Sequence, residues 1–109
     1  MRLAMRTRVM YIEDKSENLN GVARIGRVSF SRTTVTVHYR DRSFHRVRGY
    51  KYNYAENGTG NHYWISGPRK DGEDRLYVSN LPVYIDEDAR EEYWLKIRKR
   101  PDLVHQKHT

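Results

Sequence analysis

The stretch Gly21-Val22-Ala23-Arg24-Ile25-Gly26-Arg27-Val28-Ser29-Phe30-Ser31-Arg32-Thr33-Thr34-Val35-Thr36-Val37-His38-Tyr39-Arg40 decides the fold class. In its second half Val35, Val37 and Tyr39 alternate with Thr34, Thr36, His38 and Arg40, the period of a strand with one buried face and one wet face. In its first half Ala23 and Ile25 hold odd positions while Val28 and Phe30 hold even ones. Gly26 lies where the parity changes, and a β-bulge there accounts for the switch. Arg24, Arg27, Ser29 and Ser31 then face away from the core. Ser31 to Thr33 is short enough for a hairpin connection, so the two halves pair antiparallel.

Working outward, Arg6 to Glu13 reads as a strand on the β-favouring Val9, Tyr11 and Ile12, and Asp14 through Asn20 is a polar loop closed by Gly21. Ser43 to Arg48 is ambiguous. Tyr50, Tyr52 and Tyr54 alternate with Lys51 and Asn53, turn through Glu56-Asn57-Gly58-Thr59-Gly60-Asn61, and return as His62-Tyr63-Trp64-Ile65-Ser66, a hairpin pattern. Gly67 through Asp74 is a charged turn, and Arg75 to Ser79 can add a short strand before Pro82. The last element differs in kind. Asp86, Glu87 and Asp88 supply acidic capping residues, Ala89, Tyr93 and Ile97 recur every fourth position, and Lys96, Arg98, Lys99 and Arg100 precede Pro101. That predicts a helix over 87–99, with both charged ends complementing its dipole. The expected fold is mainly β (α+β): a small antiparallel β-barrel or strongly bent sheet of five to seven short strands with one C-terminal α-helix. Residues 1–109 form one domain, with a core over about 6–100 and a flexible tail at 101–109.

Composition narrows the function. Leu, Ile, Val and Phe make up about a fifth of the chain, at the edge of what a folded domain needs, and nine tyrosines and two tryptophans make up the difference. The length excludes a large cofactor enzyme. With no cysteine, disulfides, thiolate metal sites and cysteine nucleophiles drop out. Met1 to Met10 carries Arg2, Arg6 and Arg8 and lacks the apolar stretch of a signal peptide, which implies a cytoplasmic address and no membrane partner.

Charge is uneven. Residues 1–54 hold twelve Lys/Arg against four Asp/Glu, whereas residues 55–109 hold nine against ten. Arg24, Arg27, Arg40, Arg42, Arg46 and Arg48 stand near Tyr50 and Tyr52, and a basic β-surface interleaved with aromatics suits RNA or single-stranded DNA. Against this stands the reading in which the tyrosines are the core face of a strand and the arginines a solvated exterior. His38 and His45 could instead act as acid and base of a metal-free ribonuclease, with arginines stabilising the phosphorane. Trp94, if it sits on the flank of a helix whose core stripe holds Tyr93, would mark a protein-contact site, for an acidic partner among others. The alternative is a flank tryptophan covering the sheet edge. Asp71, Glu73 and Asp74 fail the calcium-loop pattern and have Arg69, Lys70 and Arg75 beside them, which predicts local ion pairs and no metal. No cofactor is expected.

Met5-Arg6-Thr7-Arg8-Val9-Met10-Tyr11-Ile12-Glu13-Asp14, Ala23 to Val28, Tyr63 to Tyr77, Ile85 to Asp88 and Arg90 to Trp94 resemble a family of short, uncharacterised bacterial proteins. Some of its members carry the label deoxyxylulose-phosphate synthase. The resemblance implies no activity and transfers no functional residue. The label itself fails physically, because a thiamine-diphosphate enzyme needs a deep cofactor site between large domains.

Overall fold

The computed structural model describes residues 6–16, 20–31, 36–77 and 79–109. Val35, Val78 and most of the 31–33 connection lie outside them. Seven strands are described: β1 (Arg6–Asp14), β2 (Ala23–Phe30), β3 (Thr36–Tyr39), β4 (Arg42–Arg46), β5 (Tyr54–Glu56), β6 (His62–Ser66) and β7 (Val83–Ile85); one helix, α1 (Glu87–Glu92), follows them. The sheet order β1-β6-β5-β4-β3-β2 closes on itself through a β1–β2 pairing, giving a six-stranded antiparallel barrel, and β7 is added in parallel along the start of β2.

The parity change at Gly26 is not a bulge. β1 and β2 stay in register from Arg6↔Phe30 to Glu13↔Ala23 without an extra residue. Both faces of β2 are buried, each against a different core. Val28 and Phe30 point into the barrel with Met10, Ile12, Val37, Tyr39, Phe44, Tyr54, Tyr63 and Ile65. Ala23 and Ile25 point outward, where Val9, Tyr11, Val83, Ile85, Ala89, Tyr93 and Trp94 cover them. Gly26 has another task. One edge of β2 pairs with β7 over Ala23–Ile25 and with β3 over Ser29–Phe30, and Gly26 sits between the two partners. A Cβ there would lie 2.5 Å from both the Tyr39 ring and an Asp86 carboxylate oxygen.

The hairpin expected from Tyr50 is shorter than its alternation suggests, since β5 begins only at Tyr54. Arg75–Tyr77 forms no strand. The Arg75 guanidinium instead donates to the Gly21 carbonyl at 3.1 Å and the Pro82 carbonyl at 3.2 Å, linking it to the residues before β2 and β7.

The predicted helix is present but changes pitch. After α1, Tyr93–Ile97 forms a π-helical turn, with the Arg98 N–H donating to the Tyr93 carbonyl. The wider turn rotates less per residue, so Tyr93 and Trp94 both enter the core, packed edge to face with centroids 5.0 Å apart. Residues 101–109, expected as a loose tail, are fastened. A 3-10 turn at Pro101–Leu103 leads to backbone bonds from Ile85 N–H to the Lys107 carbonyl and in both directions between Val83 and Thr109. Among the described residues no helix is long and apolar enough to cross a membrane.

Candidate functional site

Strand register sorts the charged side chains to opposite ends of the barrel. One end gathers Asp14, the start of β2, the β3–β4 turn Arg40-Asp41, Arg42 and Glu56; the other gathers Arg6, Phe30, Arg46, Tyr54 and Ser66. The six arginines proposed for an anion-binding surface are therefore divided.

At the Asp14 end they are spoken for. Asp86 is buried in the gap between β2 and β3, where its carboxylate accepts from the Tyr39 hydroxyl, from Arg40 at 2.8 Å and from Arg24 at 3.2 Å. Its backbone N–H donates to the Ile25 carbonyl, so the end of β7 places this carboxylate beside Gly26. Burial, then the hydrogen bond to Asp86, pushes the Tyr39 hydroxyl above its ordinary range, so it stays a proton donor. Arg42 donates to the Tyr63 hydroxyl at 2.9 Å and lies 3.6 Å from Glu56. Arg27, on the outer face, pairs with Glu92 at 2.8 Å and reaches the Asp88 carbonyl at 3.4 Å. These four do not join Arg46 and Arg48 on one surface.

At the Arg6 end the cations are not matched. Arg46 lies over the Tyr54 ring at 5.9 Å, Arg6 over Phe30 at 5.9 Å, and Lys51 over Tyr50 at 5.5 Å. Arg48 is exposed in the β4–β5 loop, whose base is closed by the Val47 N–H bond to the Asn53 carbonyl. Among the described residues no carboxylate lies within 4.0 Å of Arg6, Arg8, Arg46, Arg48 or Lys51. Tyr50 is 82% exposed. Tyr52 stacks on His62 with ring centroids 3.7 Å apart and the planes nearly parallel, and is half-buried. Of the three tyrosines only Tyr54 belongs to the barrel core.

His38 and His45 share the outer face of the β3–β4 hairpin, offset by one step across the ladder. The His45 ring Nδ1 is hydrogen-bonded with the Asn57 side-chain oxygen at 2.6 Å, and the Asn57 amide donates to Ser43. Arg42 and Arg46 fall on the opposite face with Phe44, and Arg27 is held by Glu92. Trp94 is not a flank residue. It is 1% exposed, and its indole N–H donates to the Gln106 carbonyl at 2.9 Å, covered by the segment that the sequence reads as a tail.

In the 67–75 turn Arg69 pairs with Asp71 at 2.9 Å, as the local ion-pair reading expects. The Glu73 N–H holds Asp71 below the usual carboxylate range. Asp74 is buried; one oxygen accepts from the Arg69 N–H at 2.6 Å and the other has no partner among the described residues, and desolvation raises its pKa.

Two buried carboxylates escape a reading by composition. Asp86 occupies the N-cap position of α1 yet makes no side-chain cap bond, its carboxylate being turned into the barrel wall. Glu13, 0% exposed, accepts from the Tyr11 hydroxyl at 2.5 Å and the Gly21 N–H at 3.0 Å, and pairs with Lys15 at 2.8 Å and Arg75 at 3.4 Å. A sequence signal for the second was available: Glu13 has the parity of Val9 and Tyr11, the face that α1 covers. No family model, curated protein or solved structure matches this chain, so its function rests on the geometry described above.

Proposed function

We propose that this protein is a cytoplasmic, non-enzymatic binding module that contacts RNA or single-stranded DNA with the Arg6 end of its barrel. The observation that supports the reading is the set of cations with no carboxylate partner among the described residues there, near an exposed Tyr50. Arg46 and Arg48, with Arg6, Arg8 and Lys51, would contact phosphates, while Tyr50 offers a face for a base. Arg24, Arg27, Arg40 and Arg42 are left out, because they lie away from this end and each already pairs with a carboxylate.

Salt dependence tests it. With about three phosphate contacts, affinity for a single strand falls roughly 20-fold between ~50 and ~200 mM salt. An Arg46→Ala, Arg48→Ala double variant flattens that slope. Equal affinity at both salt concentrations would end the nucleic-acid reading, and tighter binding to an acidic peptide than to an oligonucleotide of equal charge would replace it with a protein-contact role.

A further inference from the structure

The Asp14 end of the barrel holds a cavity of about 380 Å³. That lies within the range of small-ligand sites, for which barrel mouths are a preferred location. Its floor is aromatic: Tyr39, Phe44 and Tyr63 line it, all buried, the latter two packed edge to face at 4.7 Å. Its rim carries three arginines against Asp14 and Asp41. Arg24, Arg40 and Arg42 line it with 40%, 55% and 52% of their side chains still exposed, so the ion pairs to Asp86 and Glu56 leave guanidinium edges facing the opening. A guanidinium has five N–H donors, and one carboxylate contact leaves donors for a ligand.

The backbone adds a second observation. Arg40 and Asp41 form a two-residue turn between paired Tyr39 and Arg42, and Arg40 has φ +56°, a position where glycine or asparagine is favoured. Holding an arginine there costs on the order of 1 kcal/mol, a strain that persists where the side chain is needed. Arg40 within this turn and Arg42 just after it stand together on the rim, above the aromatic floor.

We propose that this cavity is a binding site for a small molecule that joins a flat apolar ring to an anionic group, the ring against Tyr39 and Tyr63 and the anion between Arg40 and Arg42. It lies at the opposite end of the barrel from the proposed nucleic-acid surface and does not depend on it. Asp14 and Asp41 also line the opening, so a hydrogen-bond donor beside the anion is accommodated.

The test is a titration of the whole chain, followed by backbone amide NMR, with 3-phenylpropanoate and phenyl phosphate as the carboxylate and phosphate forms of the anion, and phenethylamine as the charge-reversed control. Saturable shifts around residues 39–44 and 63 with at least one anion, Kd near or below about 1 mM, and at least tenfold weaker binding of phenethylamine support the site. Arg42→Ala weakens the anion at least fivefold. Because that variant also frees Glu56, Val22→Asp serves as a second variant: Val22 lines the cavity, is 69% exposed, and its replacement adds a like charge at the rim without removing a core contact. Arg46→Ala, Arg48→Ala leaves the titration unchanged. The proposal is overturned if neither anion saturates, if phenethylamine binds as tightly, or if Val22→Asp binds the anions as well as the parent chain.

Discussion

The two ends of this barrel are built from the same residue types and use them in opposite ways. At the Asp14 end, Arg24 and Arg40 converge on the buried Asp86, and Arg42 on Glu56 and Tyr63. At the Arg6 end, Arg46 lies over the Tyr54 ring and Arg48 is exposed, with no described carboxylate in reach of either. An arginine count therefore says little about anion binding until each cation is paired or left over. The first group closes a gap in the barrel wall; the second is left to interact with something else.

Substitutions can sharpen this contrast. The largest loss is expected from Glu13→Gln, which removes the charge that holds Lys15 and Arg75 in a buried network. Breaking such a pair costs about 3–5 kcal/mol, and a fall in Tm of more than 10 °C by calorimetry is the check. Gly26→Ala comes next, because its methyl group would press Tyr39 away from Asp86. Overpacking of this kind costs roughly 1–3 kcal/mol, read as a lowered urea midpoint at unchanged slope. Asp74→Asn has a smaller effect, with a sign that depends on pH. Burial raises the Asp74 pKa in the fold, so the ionised form destabilises the folded state at neutral pH, and that penalty fades as pH falls through the raised pKa toward the ordinary carboxylate value. Asn therefore raises Tm at pH 7, and the gain narrows by pH 4. The smallest stability change belongs to Arg46→Ala, Arg48→Ala at the unmatched end, within about 0.5 kcal/mol per site, while oligonucleotide affinity drops. A large Tm loss there would mean that these arginines are structural after all, and the contrast between the ends would collapse.

The barrel with one C-terminal helix was legible because alternation in 35–40 and 62–66 and the acidic start at 86–88 are local signals. What escaped was non-local. Gly26 reads as a bulge only if β2 has one core; the switch from Ile25 to Val28 records two, and nothing within the strand says that a second layer covers its outer face. An even 100° step puts Trp94 on the flank, whereas the π turn at Tyr93–Ile97 brings it into the core. Arg24 and Arg40 looked available because their partner, Asp86, lies 62 and 46 positions away and resembles a helix cap.

The sharing of β1 and β2 between two cores has a consequence for how the molecule comes apart. Met10 and Ile12 serve the barrel, while Val9 and Tyr11 on the same strand serve the layer under α1. Neither half can be peeled off without stripping a strand from the other, so melting is one cooperative event and amide exchange is slowest along 9–12 and 23–28, the seam common to both.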